Sequence, residues 1–323
     1  MTTKLLSAHP FESPTISRRV AKRKGTQLAI MACGRTGLGK STFINTLCDG
    51  QVYETSPESQ TLEIVQKSVS LSEPEGKSIH LTIVDTPGFG DAMDNSNHLK
   101  TIKEYLENKF QEVLKEETRI DRSTNLKDSR IHCCLYFLSC TGHGLHELDI
   151  KVMRSLSGLV NLIPVIAKCD TFTQDELQAY KYRIRLQLDQ YEIKTYTFGI
   201  DLQNGEDEFL EEAFYLRELL PFAVSGSNYK YDLNGDHVRG IQHPWGFSRC
   251  DDNSTSDLMA LRSVLFGSQM QDLKDATLSL YESWRTRVLS RGPAPEPLSP
   301  SLMVELQDLL EEANPKQEIS LEL

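Results

Sequence analysis

Apolar positions come in short blocks through the first 225 residues, and most blocks are followed by a stretch with helical spacing. Residues 27–32 (QLAIMA) predict a buried strand and residues 41–47 (STFINTL) a helix. Residues 49–60 are polar and predict a loop. Residues 62–71 and 78–84 predict two strands with SEPEGK at 72–77 as their turn, so a hairpin is expected. Helical spacing returns at 99–114. The run 131–138 (IHCCLYFL) is apolar throughout, as a central strand covered on both faces would be. Then come a helix at 146–156, a strand at 161–167 (NLIPVIA), a charged amphipathic helix at 173–188, a short strand at 195–198 and a helix at 207–220. Such alternation implies a doubly wound α/β domain with a mostly parallel sheet.

Beyond residue 225 the pattern changes. Residues 237–250, with HPWG inside, predict a hairpin or irregular β segment, and 256–289 predict one long helix. Four prolines in 291–300 predict a linker, 302–310 a short amphipathic helix, and the last residues an acidic tail. The expected organisation is an N-terminal segment 1–24 without periodicity, a core domain 25–235, a β segment with a long helix at 236–290, and a Pro-rich linker with a short tail at 291–323.

Composition excludes some classes. The 323 residues are 39% hydrophobic and 25% charged, ordinary for a soluble globular chain. No apolar run reaches the roughly 20 residues of a membrane span, and the first residues lack a secretion-signal pattern, so the cytosol is the expected compartment. Seven cysteines without a C-x-x-C pair point to buried free thiols, not to disulfides or zinc. A net charge of −11 argues against nucleic acid as a partner. One stretch opposes the trend: Arg18, Arg19, Lys22, Arg23 and Lys24 put five positive charges in seven residues. Near an anionic leaflet each is worth about 1 kcal/mol, so the cluster can hold an acidic chain on a membrane. A solvated charge run or an import signal is the alternative.

The chemistry starts at 34–41, GRTGLGKS, which fits G-x-x-x-x-G-K-[ST] between a predicted strand and a predicted helix. Its glycines let successive N–H groups converge on one phosphate. Lys40 is placed to reach the outer phosphates and the Ser41 hydroxyl to hold magnesium. DTPG at 85–88 ends an apolar strand. Asp85 there can take the second shell of the ion, and the Gly88 N–H can meet the γ-phosphate. AKCD at 167–170 ends another strand. Its Asp170 carboxylate can accept from both N1–H and the 2-amine of guanine, a donor pair that adenine lacks, and the Lys168 stem would lie along the base or the phosphate loop. A threonine between these motifs should complete the magnesium shell. Thr61 and Thr55 are the candidates, with Thr61 preferred because TLEI starts where loop becomes strand. Phe89 stands where a water-orienting glutamine would follow the Gly88 position, so hydrolysis is expected to be slow or absent. A turning-over GTPase switch is the alternative, and a small-molecule P-loop kinase ranks behind both.

With these motifs, and with HCCLYFL, TGHGL, LVNLIPVIAKCDTFT, LLPFAVSGSN, HPWG and the stretch from DLMALRS to RTRVL in order, the chain resembles a septin over about 18–289. Its wording is similar to fungal filament-end or sporulation-specific subunits. The resemblance implies a P-loop GTPase-type fold, with a mostly parallel sheet flanked by helices and a septin-type C-terminal β segment and long helix. It implies GTP or GDP with Mg2+ as cofactors. It implies assembly with other septins into hetero-oligomeric rods, then filaments and rings on phosphoinositide-containing membrane. The expected location is the cytoplasm and cytoskeleton, in a ring at the bud neck or division site, or at a forming spore membrane.

Residue by residue, Gly34, Gly37, Gly39, Lys40, Ser41 and Thr42 fall on the phosphate loop. Asp85 and Gly88 fall on the magnesium and γ-phosphate loop, and Lys168, Asp170 and Gly226 on the guanine site. His143, Thr171 and Glu176 match residues that reach a neighbour's nucleotide, and Trp245 matches the tryptophan of the nucleotide-side interface. The basic cluster matches the phosphoinositide-binding segment. Three departures stand out. Ile241 occupies the place of the arginine that stacks on guanine, and Arg239, offset by two, is the nucleotide-binding candidate there. The loop before Thr61 is short. The long C-terminal coiled coil is missing.

Overall fold

The computed structural model describes residues 26–54, 64–72, 78–90, 96–119, 128–199, 207–233, 236–267 and 269–290. Six strands form the main sheet: β1 (Thr26–Gly34), β2 (Val65–Ser72), β3 (Ser78–Asp85), β4 (Cys133–Leu138), β5 (Asn161–Ala167) and β6 (Phe222–Val224). Their order is β2-β3-β1-β4-β5-β6. Every pairing is parallel except β2 with β3, the expected hairpin at one edge. β4 and β5 are buried at every position, which requires cover on both faces of the sheet. Around the sheet the chain forms α1 (Lys40–Leu47), α2 (Ser96–Thr118), α3 (Glu147–Leu156), α4 (Gln174–Gln190) and α5 (Asp207–Leu219). The core joins Leu28 and Ile30 of β1 to Leu135 and Phe137 of β4, Ile163 and Val165 of β5, and Phe43, Ile44 and Leu47 of α1. The buried cysteines are free thiols, and only Cys140 is half-buried.

The parallel strands end with their motifs on one edge of the sheet, where β1 leads to the glycine-rich loop, β3 to Asp85 and β5 to Lys168. Ligand loops belong at this carboxyl edge of an open parallel sheet. At the opposite end His132 accepts from the Ala29 N–H at Nδ1 (2.8 Å). The Asn161 amide lies within hydrogen-bond reach of the His132 carbonyl, the Leu273 carbonyl and the Thr277 hydroxyl. These buried bonds tie the entries of β4 and β5 to each other and to Ala29 within β1, and leave the strands' other ends to the loops.

Two expectations are corrected. Residues 195–198 are not a strand: Tyr196 donates one bond to the Leu162 carbonyl (2.7 Å), and the sixth strand is β6. The apolar pattern there comes from Phe198, fully buried against Tyr196 and Phe222. The single helix expected over 256–289 is two helices, α6 (Leu258–Phe266) and α7 (Met270–Ser290). α6 stops at Gly267, whose N–H bonds the Ser263 carbonyl at 2.8 Å. A Cβ at that glycine would sit 2.6 Å from the same oxygen.

A second sheet is antiparallel: β7 (Lys230–Leu233), β8 (Asp236–His243) and β9 (Gly246–Arg249), in that order. β8 and β9 make the expected hairpin across Pro244 and Trp245, while β7 was not foreseen. The compact unit that holds both sheets spans Met1–Tyr281, and a second unit spans Glu282–Leu323, the division falling within α7. The expected helix at 302–310 and the 1–24 segment lie outside the described residues. Among the described residues no helix is long and apolar enough to cross a membrane.

Candidate functional site

The glycine-rich loop leaves β1 and turns directly into α1. Gly37 and Gly39 hold φ values of 78° and 81°, in the left-handed region that side chains disfavour. Gly39 is the N-cap of α1, so no side chain bonds the first turn, which also lacks acidic residues. Its N–H groups and the positive end of the helix dipole are therefore left to an anion. Lys40, mostly buried, donates to the Gly34 and Arg35 carbonyls, both at 3.0 Å. The ammonium is thus folded back across the loop that it closes.

The Ser41 hydroxyl donates to Asp85 Oδ2 at 2.9 Å. Asp85 is 1% exposed, and its Oδ1 is buried without a hydrogen-bond partner. Burial pushes this carboxyl above the usual range, against the Ser41 hydroxyl and the Lys40 charge, which pull it down. An orphaned carboxylate oxygen beside a serine hydroxyl fits a magnesium site whose other ligands are phosphate and water. Among the described residues no cluster of three acidic, His or Cys side chains offers a metal a cage of its own. Any ion here depends on the phosphates.

Thr86 locks the strand end through two bonds to the Ala32 carbonyl, 3.2 Å from its N–H and 2.9 Å from its hydroxyl. Beyond it the two loops touch. Arg35 bridges Phe89, and the Thr36 N–H donates to the Phe89 carbonyl at 3.1 Å. Gly88 is pressed on Thr36, where a Cβ would meet the backbone nitrogen at 2.8 Å. Phe89 is 2% exposed and packs near Tyr136, with ring centroids 6.1 Å apart. Its side chain belongs to the core and orients no water.

On the base side a cleft of about 110 Å3 is lined by Leu38, Gly39, Thr42, Phe43, Phe137, Ala167, Lys168, Val224 and Gly226. A larger cavity, about 350 Å3, opens between residues 48–52 and β2. It holds none of the phosphate or base motifs, so the smaller cleft is the candidate. The Thr46 hydroxyl bonds both the N–H (3.0 Å) and the carbonyl (3.1 Å) of Ser227, which ties the Gly226 loop to α1. Lys168 is exposed at a φ of 54° and heads a short 3-10 turn, Cys169–Thr171. The Asp170 side chain in that turn is 6% exposed, and its Oδ2 lies 3.1 Å from Nε2 of His243. The approach is close but misaligned for a hydrogen bond, and Oδ1 is buried with no partner. His243 stacks on Trp245 at 4.7 Å and 6°, and Trp245 is 76% exposed.

Arg239 points elsewhere. It donates to Asp49 Oδ1 (2.9 Å) and to the Ser227 carbonyl (3.0 Å), while Lys230 reaches the same Asp49 oxygen at 2.9 Å. Burial would raise the Asp49 carboxyl, but hydrogen bonds from Lys230 and Arg239 outweigh it and hold it below the usual range. Arg239 thus anchors the rim of the Gly226 loop. Of the residues expected at a subunit contact, His143, Thr171 and Trp245 are exposed. Glu176 is exposed too, but its carboxylate closes a capping box with Thr173 at the start of α4. Thr61 and Thr55 lie outside the described residues, as do Arg18, Arg19, Lys22, Arg23 and Lys24. His243 was missed by sequence reasoning, although alternation places Arg239, Ile241 and His243 on one face of β8.

The family model described as Septin matches residues 24–296. Cell division control protein 11 of Saccharomyces cerevisiae is 42% identical over 303 residues, which cover 90% of this chain and 73% of that protein. Septin homolog spn3 of Schizosaccharomyces pombe is 40% identical over 84% of this chain and 75% of its own length. Protein peanut of Drosophila melanogaster is 42% identical over 84% of this chain and 51% of its own. Among solved structures, that of Cdc11 from Saccharomyces cerevisiae matches at a TM-score of 0.55 and 35% identity, covering 81% of this chain and 99% of that one. The septin GTPase domain from Chlamydomonas reinhardtii matches at 0.63 over 81% of this chain and 98% of its own. At 23% identity that match speaks for the fold alone.

Proposed function

The chain belongs to the septin family, and from that premise we propose that it is a guanine-nucleotide-binding cytoskeletal subunit that assembles with other septins into filaments or rings at sites of division. One observation carries the reading. Four consecutive residues serve two ends of one ligand: Gly39 and Thr42 line the cleft that ends at Lys168 and Gly226, while Lys40 and Ser41 reach back to Gly34 and Asp85. A purine and a phosphate chain joined by a ribose have that layout.

Within this reading Ser41 holds Mg2+ and Asp85 steadies it, the ion supplying charge neutralisation between the phosphates. Asp170 reads the base. Thr61 is proposed as the remaining magnesium and γ-phosphate residue. Hydrolysis is slow or absent, because Phe89 is committed to the core where a water-orienting side chain is needed. His143, Thr171, Glu176 and Trp245 are proposed to face a neighbouring subunit across the nucleotide, Trp245 through its exposed indole. Residues 25–235 are proposed as the nucleotide-binding core and 236–290 as the family's added segment.

Protein purified in magnesium and then denatured should release GDP or GTP on ion-exchange chromatography, with less released after prior chelation. Release of adenine nucleotides, or no nucleotide together with no uptake of added GTP, would overturn the reading.

The basic cluster at 18–24 supports a membrane role, at a ring or a forming spore membrane, through anionic lipid headgroups. Exchanging Arg18, Arg19, Lys22, Arg23 and Lys24 for glutamate should abolish co-sedimentation with phosphoinositide vesicles at physiological salt. Unchanged co-sedimentation would remove the membrane from the reading.

A further inference from the structure

We propose that His243 is a positioning residue for base recognition: it fixes the plane of the Asp170 carboxylate so that both oxygens can meet guanine together. The inference rests on the guanine reading above and deepens it. Three observations support it. His243 Nε2 stands 3.1 Å from Oδ2 of a carboxylate that is 6% exposed, in contact with it but misaligned for a hydrogen bond. The other oxygen, Oδ1, is buried and has no hydrogen-bond partner. The imidazole is held in plane by Trp245, stacked at 4.7 Å with 6° between the rings.

A carboxylate turns about its last side-chain bond through a broad, shallow profile, so burial alone does not set its plane. An imidazole edge fixed 3.1 Å from one oxygen does, by contact. Guanine presents two parallel donors, N1–H and the 2-amine, and both are satisfied only if the carboxylate lies in the plane of the base. Oδ2 keeps its lone pairs for the base while His243 stands beside it, and among the described residues no donor competes for Oδ1. The unpaired oxygen is costly in the protein alone, and a base donor removes that cost. Inosine lacks the 2-amine and has one donor to satisfy. A carboxylate that swings can still meet one donor, so loss of the plane should fall on guanosine and spare inosine.

The test uses the full chain and compares the dissociation constants of GTP, ITP and ATP in wild type, His243→Ala and His243→Gln. His243→Ala should lower the preference for GTP over ITP about tenfold, almost entirely through weaker GTP. His243→Gln, whose amide fills a similar place beside Oδ2, should recover most of that preference. Unchanged ITP affinity is the control that the hairpin still folds. A GTP to ITP ratio that stays put in His243→Ala would overturn the inference. So would tighter GTP binding, which would mean that the imidazole competes with the base. A wild-type chain that binds GTP no better than ATP would instead refute the guanine reading, and the inference with it.

Discussion

Asp170→Asn should weaken GTP by about 10²–10⁴-fold, leave ATP unchanged and create affinity for xanthosine triphosphate. The size of the effect follows from burial. The Asp170 side chain is 6% exposed, so water cannot replace a lost partner. Asparagine puts one acceptor and one N–H2 where guanine needs two acceptors, and two donors then face each other in a site that cannot hydrate them. Xanthine offers a carbonyl in place of the 2-amine, and the new amide can donate to it. Calorimetric titration of the three nucleotides measures this directly. Equal losses of GTP and ATP would mean that Asp170 supports the loop and reads no base.

Gly88→Ala should lower the melting temperature by about 5 °C or more and abolish GTP binding. The new Cβ would sit 2.3 Å from Thr36 Oγ1, 2.6 Å from Thr36 Cα and 2.8 Å from Thr36 N. A rotamer change moves the first of these atoms but not the other two. The 85–88 loop must therefore lift off the phosphate loop, breaking the Thr36 N–H bond to the Phe89 carbonyl and pulling Phe89 from its place near Tyr136. Overpacking of this kind costs about 1–3 kcal/mol, and the lost bond adds about 1. A domain of this size loses a few degrees per kcal/mol. The separation also removes Asp85 from Ser41, which disassembles the proposed ion site. Thr36→Ala in the same chain should not rescue binding, since the backbone contacts remain. Wild-type melting and GTP binding in Gly88→Ala would show that the two loops are not held at this spacing.

Much of the candidate site was legible because its parts are local. Gly34 to Thr42 form one continuous turn, so their chemistry is set by residue type at fixed spacing. Asp85 and Lys168 were readable from the strands that deliver them, since an apolar run ending in a short polar motif marks the carboxyl edge of a parallel sheet. The Arg239 assignment rested on position relative to Trp245. In the folded chain its guanidinium is taken by Asp49 and the Ser227 carbonyl, two partners that no spacing rule connects to it.

The sequence by itself determined the phosphate-loop motif, the alternation of strands and helices, and the family. Periodicity and short motifs are properties of neighbouring residues, and these features need nothing more. Tertiary structure alone decided the rest. It set the strand order, with β2 running against β3 at the edge and β6 in place of residues 195–198. It broke the last helix at Gly267, where the chain must turn against the Ser263 carbonyl. It brought His243 beside Asp170 from a different sheet. Such meetings depend on which side chains packing brings within reach across long loops, and burial then sets their energy. Neither is encoded in any local pattern of apolar and polar positions.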